Sequence, residues 1–151
     1  MWNGLVELKE YPRIDVTVDV VLIGRKAGVP HILLIKRANQ PYQGHYALPG
    51  GFVDTTDLSI PEAASRELLE ETGVQILPKE LALVDVLGSP TRDPRGYFTT
   101  VAYRAEVPEL LETTAGDDAK VAEWIPWSQI NAGQVPLAFD HSVIVERAMR
   151  D

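Results

Sequence analysis

The stretch from Pro49 to Val74 constrains this chain more than any other, because it joins a glycine-rich loop to a helix whose two ends and polar face are all marked. Pro49-Gly50-Gly51 supplies a backbone without Cβ atoms, which lets a ligand or another chain segment approach closely. Ser59 stands three residues before Glu62, the spacing of a capping box, and Pro61 sits in the first turn, where a missing N–H costs nothing. Gly73 provides a left-handed stop. These signals predict a helix from Ile60 to Thr72. Within it Glu67, Glu70 and Glu71 fall at i, i+3 and i+4 and therefore share one face, while Ala64 and Leu68 turn to the core. The Glu67/Glu71 repulsion costs roughly 0.2–0.5 kcal/mol in an isolated helix unless a cation lies between them. A lone Glu-Glu pair reads as a solvated surface. Three carboxylates facing a glycine loop instead make a hard-oxygen site suited to magnesium or manganese rather than zinc. Arg66 can pair with Glu70 one turn on and fix it.

The rest of the chain supplies a single domain to carry this unit. A chain of 151 residues can bury roughly 68–70% of its unfolded surface, and neither a linker nor a repeat divides it, so residues 1–151 read as one domain. Asp15 to Ile23 and Ile32 to Ile35 read as two strands about a Gly28-Val29-Pro30 turn, followed by a short strand within Tyr46 to Val53 that runs into the glycine loop. Leu81 to Leu87, Tyr97 to Val107 and Val121 to Ile125 are further strands, with Asp93-Pro94-Arg95-Gly96 as a turn. Trp127 to Ile130 suits a helical turn, and Ala138 to Met149 a closing helix. A mixed sheet with helices on its faces follows: an α/β (α+β) fold, layered α/β/α.

Charge and cysteine usage narrow the chemistry. With no cysteine, the chain has no disulfide, thiolate metal site or cysteine nucleophile, which fits a cytoplasmic setting. Its longest apolar runs are strand-sized, so no membrane partner is expected. A net charge of −8 argues against a nucleic-acid partner and obliges any phosphate substrate to meet local cations, either placed arginines or bound divalent metal.

Gly51 followed by Arg66-Glu67-Leu68-Leu69-Glu70-Glu71-Thr72-Gly73-Val74 resembles the Nudix box, a glycine loop before R-E-U-x-E-E-x-G-U with U aliphatic, and every position of that second half matches. The first half departs from the pattern. Asp57 stands where the family has glutamate, and eight residues rather than seven separate it from Arg66. In the family that acid supports the loop more than it binds metal. The resemblance implies a mixed-sheet α/β/α sandwich that hydrolyses X-linked nucleoside diphosphates by attack of water on phosphorus, with Mg2+ or Mn2+ neutralising the diphosphate. It assigns Glu67, Glu70 and Glu71 as catalytic metal ligands, the carbonyl of Gly50 as completing the shell, Arg66 as a further catalytic residue and Gly51 of the loop as substrate-binding.

The likeness extends to Leu48 to Asp54, Asp93 to Gly96, Ala115 to Ala119 and Leu137 to His141, which look like blocks of bacterial ADP-ribose pyrophosphatases. ADP-ribose, split to AMP and ribose 5-phosphate, is the substrate this implies. The alternatives are an oxidised nucleoside triphosphate and a non-catalytic ADP-ribose sensor; the sensor reading usually brings a basic winged helix, for which no room is expected after Asp151. An NADH pyrophosphatase would bring a cysteine zinc ribbon, which this chain cannot make. Relatives are frequently homodimers, and the same is expected here. Several positions carry open readings. Arg37 either pairs with an acid or grips a phosphate, and Arg95 either belongs to a turn or does the same. Asp117 and Asp118 either form a solvated loop or supply a fourth metal contact or general base, with Asp118 the candidate. Tyr46, like Tyr42 and Tyr97, either packs or stacks on a base. Asp140 and His141 read as capping the last helix.

Overall fold

The computed structural model describes residues 11–116 and 119–150. Its elements are β1 (Asp15–Lys26), β2 (Val29–Arg37), β3 (Tyr46–Ala47), β4 (Gly50–Phe52), α1 (Ile60–Thr72), β5 (Ala82–Asp93), β6 (Gly96–Glu106), β7 (Ala119–Pro126), α2 (Trp127–Asn131) and α3 (His141–Met149), with a 3-10 turn at Pro78–Glu80. All seven strands join one mixed sheet. β1 and β6 are parallel from Asp15↔Phe98 to Ile23↔Glu106, and the remaining pairings are antiparallel.

β1 is central and buried on both faces, which is why its sequence runs apolar instead of alternating. Val18, Val20 and Leu22 point to α1 and meet Ala63, Ala64 and Leu68. Val21 and Ile23, of the opposite parity, meet Ile144, Val145 and Ala148 of α3 and Ile130 of α2. The two cores on either side of the sheet make the α/β/α sandwich.

The sheet is forked. β1 pairs with β2 only through Ile23–Lys26 against Val29–Ile32, beside a two-residue turn in which Ala27 and Gly28 both have positive φ, so Val29 and Pro30 belong to the strand and not to the turn. Beyond that the two strands diverge, and residues 46–52 fill the gap. β3 pairs with Ile35 and Lys36 on one prong, and β4 with Thr17, Val18 and Asp19 on the other. Gly50 and Gly51 thus lie inside a strand. A Cβ on Gly50 would sit 2.0 Å from the carbonyl oxygen of Val18, so only glycine lets these strands approach.

α1 has the predicted ends. Ser59 accepts from the Glu62 amide at 3.2 Å, and Gly73, at φ +74°, donates back to the Leu69 carbonyl at 2.9 Å. Two other boundaries move. β5 runs on to Asp93 through irregular pairing between Ser89 and Asp93, where Pro90 breaks the alternation that would mark a strand. α3 begins at His141 and not at Ala138, because Phe139 takes a left-handed backbone at φ +52° and the Ala138 amide is given to the Tyr46 carbonyl instead of to a helix. Among the described residues no helix is long and apolar enough to cross a membrane.

Candidate active site

The fork, α1 and the β5–β6 turn enclose a cleft of about 610 Å3. Glu67, Glu71, Gly50 and Gly51 line one part of it, Arg37, Arg95 and Phe139 another, and Asp19 and His141 are also in its wall.

Arg66 organises the α1 side. Its Nε and Nη2 donate to the two oxygens of Asp57 at 2.8 and 2.9 Å, Nη2 also to the Phe52 carbonyl at 3.1 Å, and Nη1 to Glu67 at 2.9 Å and Glu70 at 3.2 Å. The bidentate pair raises the guanidinium pKa and holds the Asp57 carboxyl down at about 2. Asp57 therefore ties the loop to the helix. Asp57 also takes the Asp54 amide at 2.7 Å, which closes the loop upon itself in spite of its extra residue.

Glu71 is buried and accepts from the Gly50 amide at 3.0 Å. Glu67 lies against Gly51, where a Cβ would come within 2.6 Å of its carboxyl carbon. Burial pushes the Glu67 carboxyl up, against the opposing pull of Arg66. Glu70 is outermost, its side chain 58% exposed, and does not line the cleft. A set of hard carboxylate oxygens beside the half-buried backbone of Gly50 and Gly51 fits Mg2+ or Mn2+ in kind. As they stand, however, no three acidic or histidine side chains converge on a point that would hold an ion, among the described residues. Arg66 engages one oxygen of Glu67 and one oxygen of Glu70 together.

Arg37 donates through Nε to the Pro41 carbonyl at 2.7 Å and stacks on Phe139, 5.0 Å from the ring centroid. No acidic partner accepts from it among the described residues. Burial, then the nearby Arg95 charge, lowers its pKa. Arg95 stands over Phe98, Phe139 and Phe52 at 5.2, 5.5 and 5.8 Å and pairs with Asp93 at 2.8 Å. Asp93 shapes the turn by accepting the Arg95 amide at 2.9 Å, and the Arg95 side chain of that turn lines the cleft.

Tyr46 does not line the cleft. Its hydroxyl donates to Glu123 of β7 and its ring receives Lys36. Asp118 lies outside the described residues. The loop before it docks on the end of α1: Thr114 and Gly116 donate to the carbonyls of Thr72 and Glu71 at 2.9 and 3.1 Å. Neither Asp140 nor His141 caps α3 in the expected way. Asp140 makes no side-chain cap and takes both Nε and Nη2 of Arg92 at 2.9 and 2.6 Å. His141 reaches Asp19 and Leu48. Asp19, Arg92, Phe52 and Phe139 line the cleft and were not singled out individually from the sequence. One signal was available, an aspartate inside the valine run of a strand buried on both faces.

Residues 13–147 match the NUDIX domain model. An ADP-ribose pyrophosphatase of Methanocaldococcus jannaschii is 44% identical over 119 residues, 79% of this chain and 66% of the relative. The ADPR-responsive transcriptional repressor NtrR of Acinetobacter baylyi is 36% identical over 140 residues, 92% of this chain and 54% of the relative. The chain thus spans about half to two thirds of the length of these curated relatives. Among solved structures, the NUDIX domain of Shewanella oneidensis NrtR, crystallised with ADP ribose, superposes with a TM-score of 0.86 at 32% identity, covering 95% of this chain and 92% of that one.

Proposed function

The chain belongs to the Nudix family of hydrolases, and from that premise we propose that it cleaves the diphosphate bond of a nucleoside diphosphate derivative, ADP-ribose foremost, to give AMP and ribose 5-phosphate. The observation that carries this reading is the composition of one cleft: buried, loop-supported carboxylates of α1 in one part of its wall, and a half-buried Arg37 with no acidic partner among the described residues in another. An acidic protein that admits a diphosphate needs positive charge inside the cleft. Arg37 and Arg95 supply it as planar donors suited to phosphate oxygens, and both guanidinium groups stand near the Phe139 ring, 5.0 and 5.5 Å from its centroid.

Glu67, Glu70, Glu71 and the carbonyl of Gly50 are the groups that would hold Mg2+ or Mn2+, which when bound neutralises the diphosphate and lowers the pKa of an attacking water. Arg66 orients Glu67 and Glu70, and the Gly50 amide orients Glu71. Phe52 and Phe139 give the cleft apolar walls, with Phe98 packed edge-on behind Phe52, and these would exclude water from the diphosphate. ADP-ribose is favoured over an oxidised nucleoside triphosphate by the resemblance to the Methanocaldococcus enzyme and by the ADP-ribose-bound fold neighbour.

A second reading is ADP-ribose sensing without turnover, favoured by the likeness to the Acinetobacter repressor. A panel of ADP-ribose, GTP, dGTP, 8-oxo-dGTP and NADH at equal concentration with Mg2+ or Mn2+, read by chromatography, separates the readings. ADP-ribose should give the highest kcat/KM, and 18O-water should label one product phosphate. An oxidised triphosphate more than tenfold better, about 1.4 kcal/mol of transition-state preference, overturns the substrate. Binding of ADP-ribose without cleavage of any member favours the sensor.

A further inference from the structure

Three successive residues in the fork, Leu48, Pro49 and Gly50, each have a backbone polar group fastened to a different part of the molecule. The Leu48 amide donates to Nδ1 of His141 at 3.0 Å, the Pro49 carbonyl accepts the Val20 amide at 2.9 Å, and the Gly50 amide donates to Glu71 at 3.0 Å. Only the first of these is held by a side chain from α3. Because a backbone N–H points at Nδ1, that nitrogen carries a lone pair, and the neutral ring bears its proton on Nε2. Nε2 faces Oδ1 of Asp19 at 3.4 Å, and the other oxygen of Asp19 accepts the Thr100 hydroxyl at 2.6 Å. His141 and Asp19 are only 4% and 6% exposed, so water does not replace these partners. Asp19 itself pairs in register with Gly50. A proton on Nδ1 would set two donors against each other and break the link to Leu48.

We propose that His141 is a positioning residue: held as the Nε2–H tautomer by Asp19, it fixes the Leu48–Gly51 backbone against Glu67 and Glu71. The proposal takes from the preceding section only that Gly50, Gly51 and Glu71 belong to the reacting site. Its chemistry separates the two ring nitrogens. In His141→Asn the amide oxygen stands near the position of Nδ1 and still accepts from Leu48, whereas in His141→Gln the longer amide reaches Asp19 and leaves the Leu48 amide without an acceptor.

The test has two arms. Long-range 1H–15N spectra of the wild type should show the Nε2–H tautomer, and amide spectra should show Leu48 and Gly50 displaced, with faster hydrogen exchange, in His141→Gln and much less so in His141→Asn. Steady-state hydrolysis should show kcat at least tenfold lower in His141→Gln than in His141→Asn, with KM within about twofold between them. A role in core stability alone would lower the melting temperature of both variants without this order. An Nδ1–H tautomer, an undisturbed Gly50 amide in His141→Gln, or equal kcat in the two variants overturns the proposal. If the wild type hydrolyses no nucleoside diphosphate, the proposed function fails, and the spectroscopic arm still decides whether His141 sets the Gly50 backbone.

Discussion

Arg66 and Asp57 meet through two parallel hydrogen bonds, Nε to Oδ1 at 2.8 Å and Nη2 to Oδ2 at 2.9 Å, across nine residues of chain. A planar fork and a carboxylate of matching geometry restrain both distance and orientation. The shorter acid and the longer loop therefore compensate for one another: aspartate retracts the carboxylate, and the extra residue lets the loop bring it back to the arginine.

That pairing should be visible in acid. The Asp57 carboxyl is held at about 2, below its ordinary 3.8, so the folded state binds fewer protons than the unfolded state in that interval. Its stabilising contribution is complete above the unfolded value and is lost as pH falls from about 4 towards 2. Denaturant unfolding of wild type and Asp57→Asn across pH 2–6 should show the variant less stable at pH 6 and the two converging near pH 2. Parallel curves would mean that the carboxylate charge contributes nothing.

Divalent metal should raise the melting temperature. A ligand that binds only the folded state, at a hundred times its dissociation constant, adds about 2.7 kcal/mol. Scanning calorimetry with and without millimolar Mg2+ should show the rise in wild type and its loss in a Glu67→Gln, Glu71→Gln double variant. An equal rise in that variant would place the ion elsewhere.

Glu71→Gln should leave the fold intact and abolish most turnover. The amide oxygen of glutamine still accepts from Gly50, so the β4 backbone stays in place while the charge disappears. Circular dichroism should be unchanged and kcat more than tenfold lower, at least about 1.4 kcal/mol on the barrier. Glu70→Gln tests whether the outermost carboxylate is needed as well. Activity within tenfold of wild type removes the residue in question from the site.

Gly50→Ala should destabilise the whole domain. The new methyl would stand 2.0 Å from the Val18 carbonyl and 2.7 Å from Asp19, both in the central strand, and relieving such overpacking costs about 1–3 kcal/mol. Thermal melting checks this against Gly28→Ala, where the cost is one of left-handed backbone alone because no atom lies within 4 Å.

The parts of this architecture that were legible in the sequence are those set by near neighbours. The ends of α1 follow from Ser59, Pro61 and Gly73, each acting within four residues, and the shared face of Glu67, Glu70 and Glu71 follows from helical geometry alone. The apolar run of β1 announced a strand but not a fork, because divergence depends on what two strands do far from their turn. Asp19 and His141 are 122 positions apart in sequence, and nothing local to either shows that they face each other. The same holds for Tyr46, whose hydroxyl is claimed by Glu123 on a strand that arrives 77 residues later. Phe139 defeated the periodicity that would start a helix at Ala138, since a left-handed backbone at a bulky residue is a local cost carried by tertiary contacts with Arg37 and Arg95.

A forked sheet has two inner borders, and here both are sealed by the strand segments that also floor the cleft. Freeing residues 46–52 would strip ladder partners from β1 and β2 together and uncover unpaired amides in the middle of the molecule. Local opening of this floor therefore approaches the cost of opening the sheet, so its amides should exchange with solvent on the timescale of global unfolding. Adaptation to ligands of different size then falls to the outer arms of the cleft, and inherited variation in what the protein accepts should accumulate there while its base stays fixed.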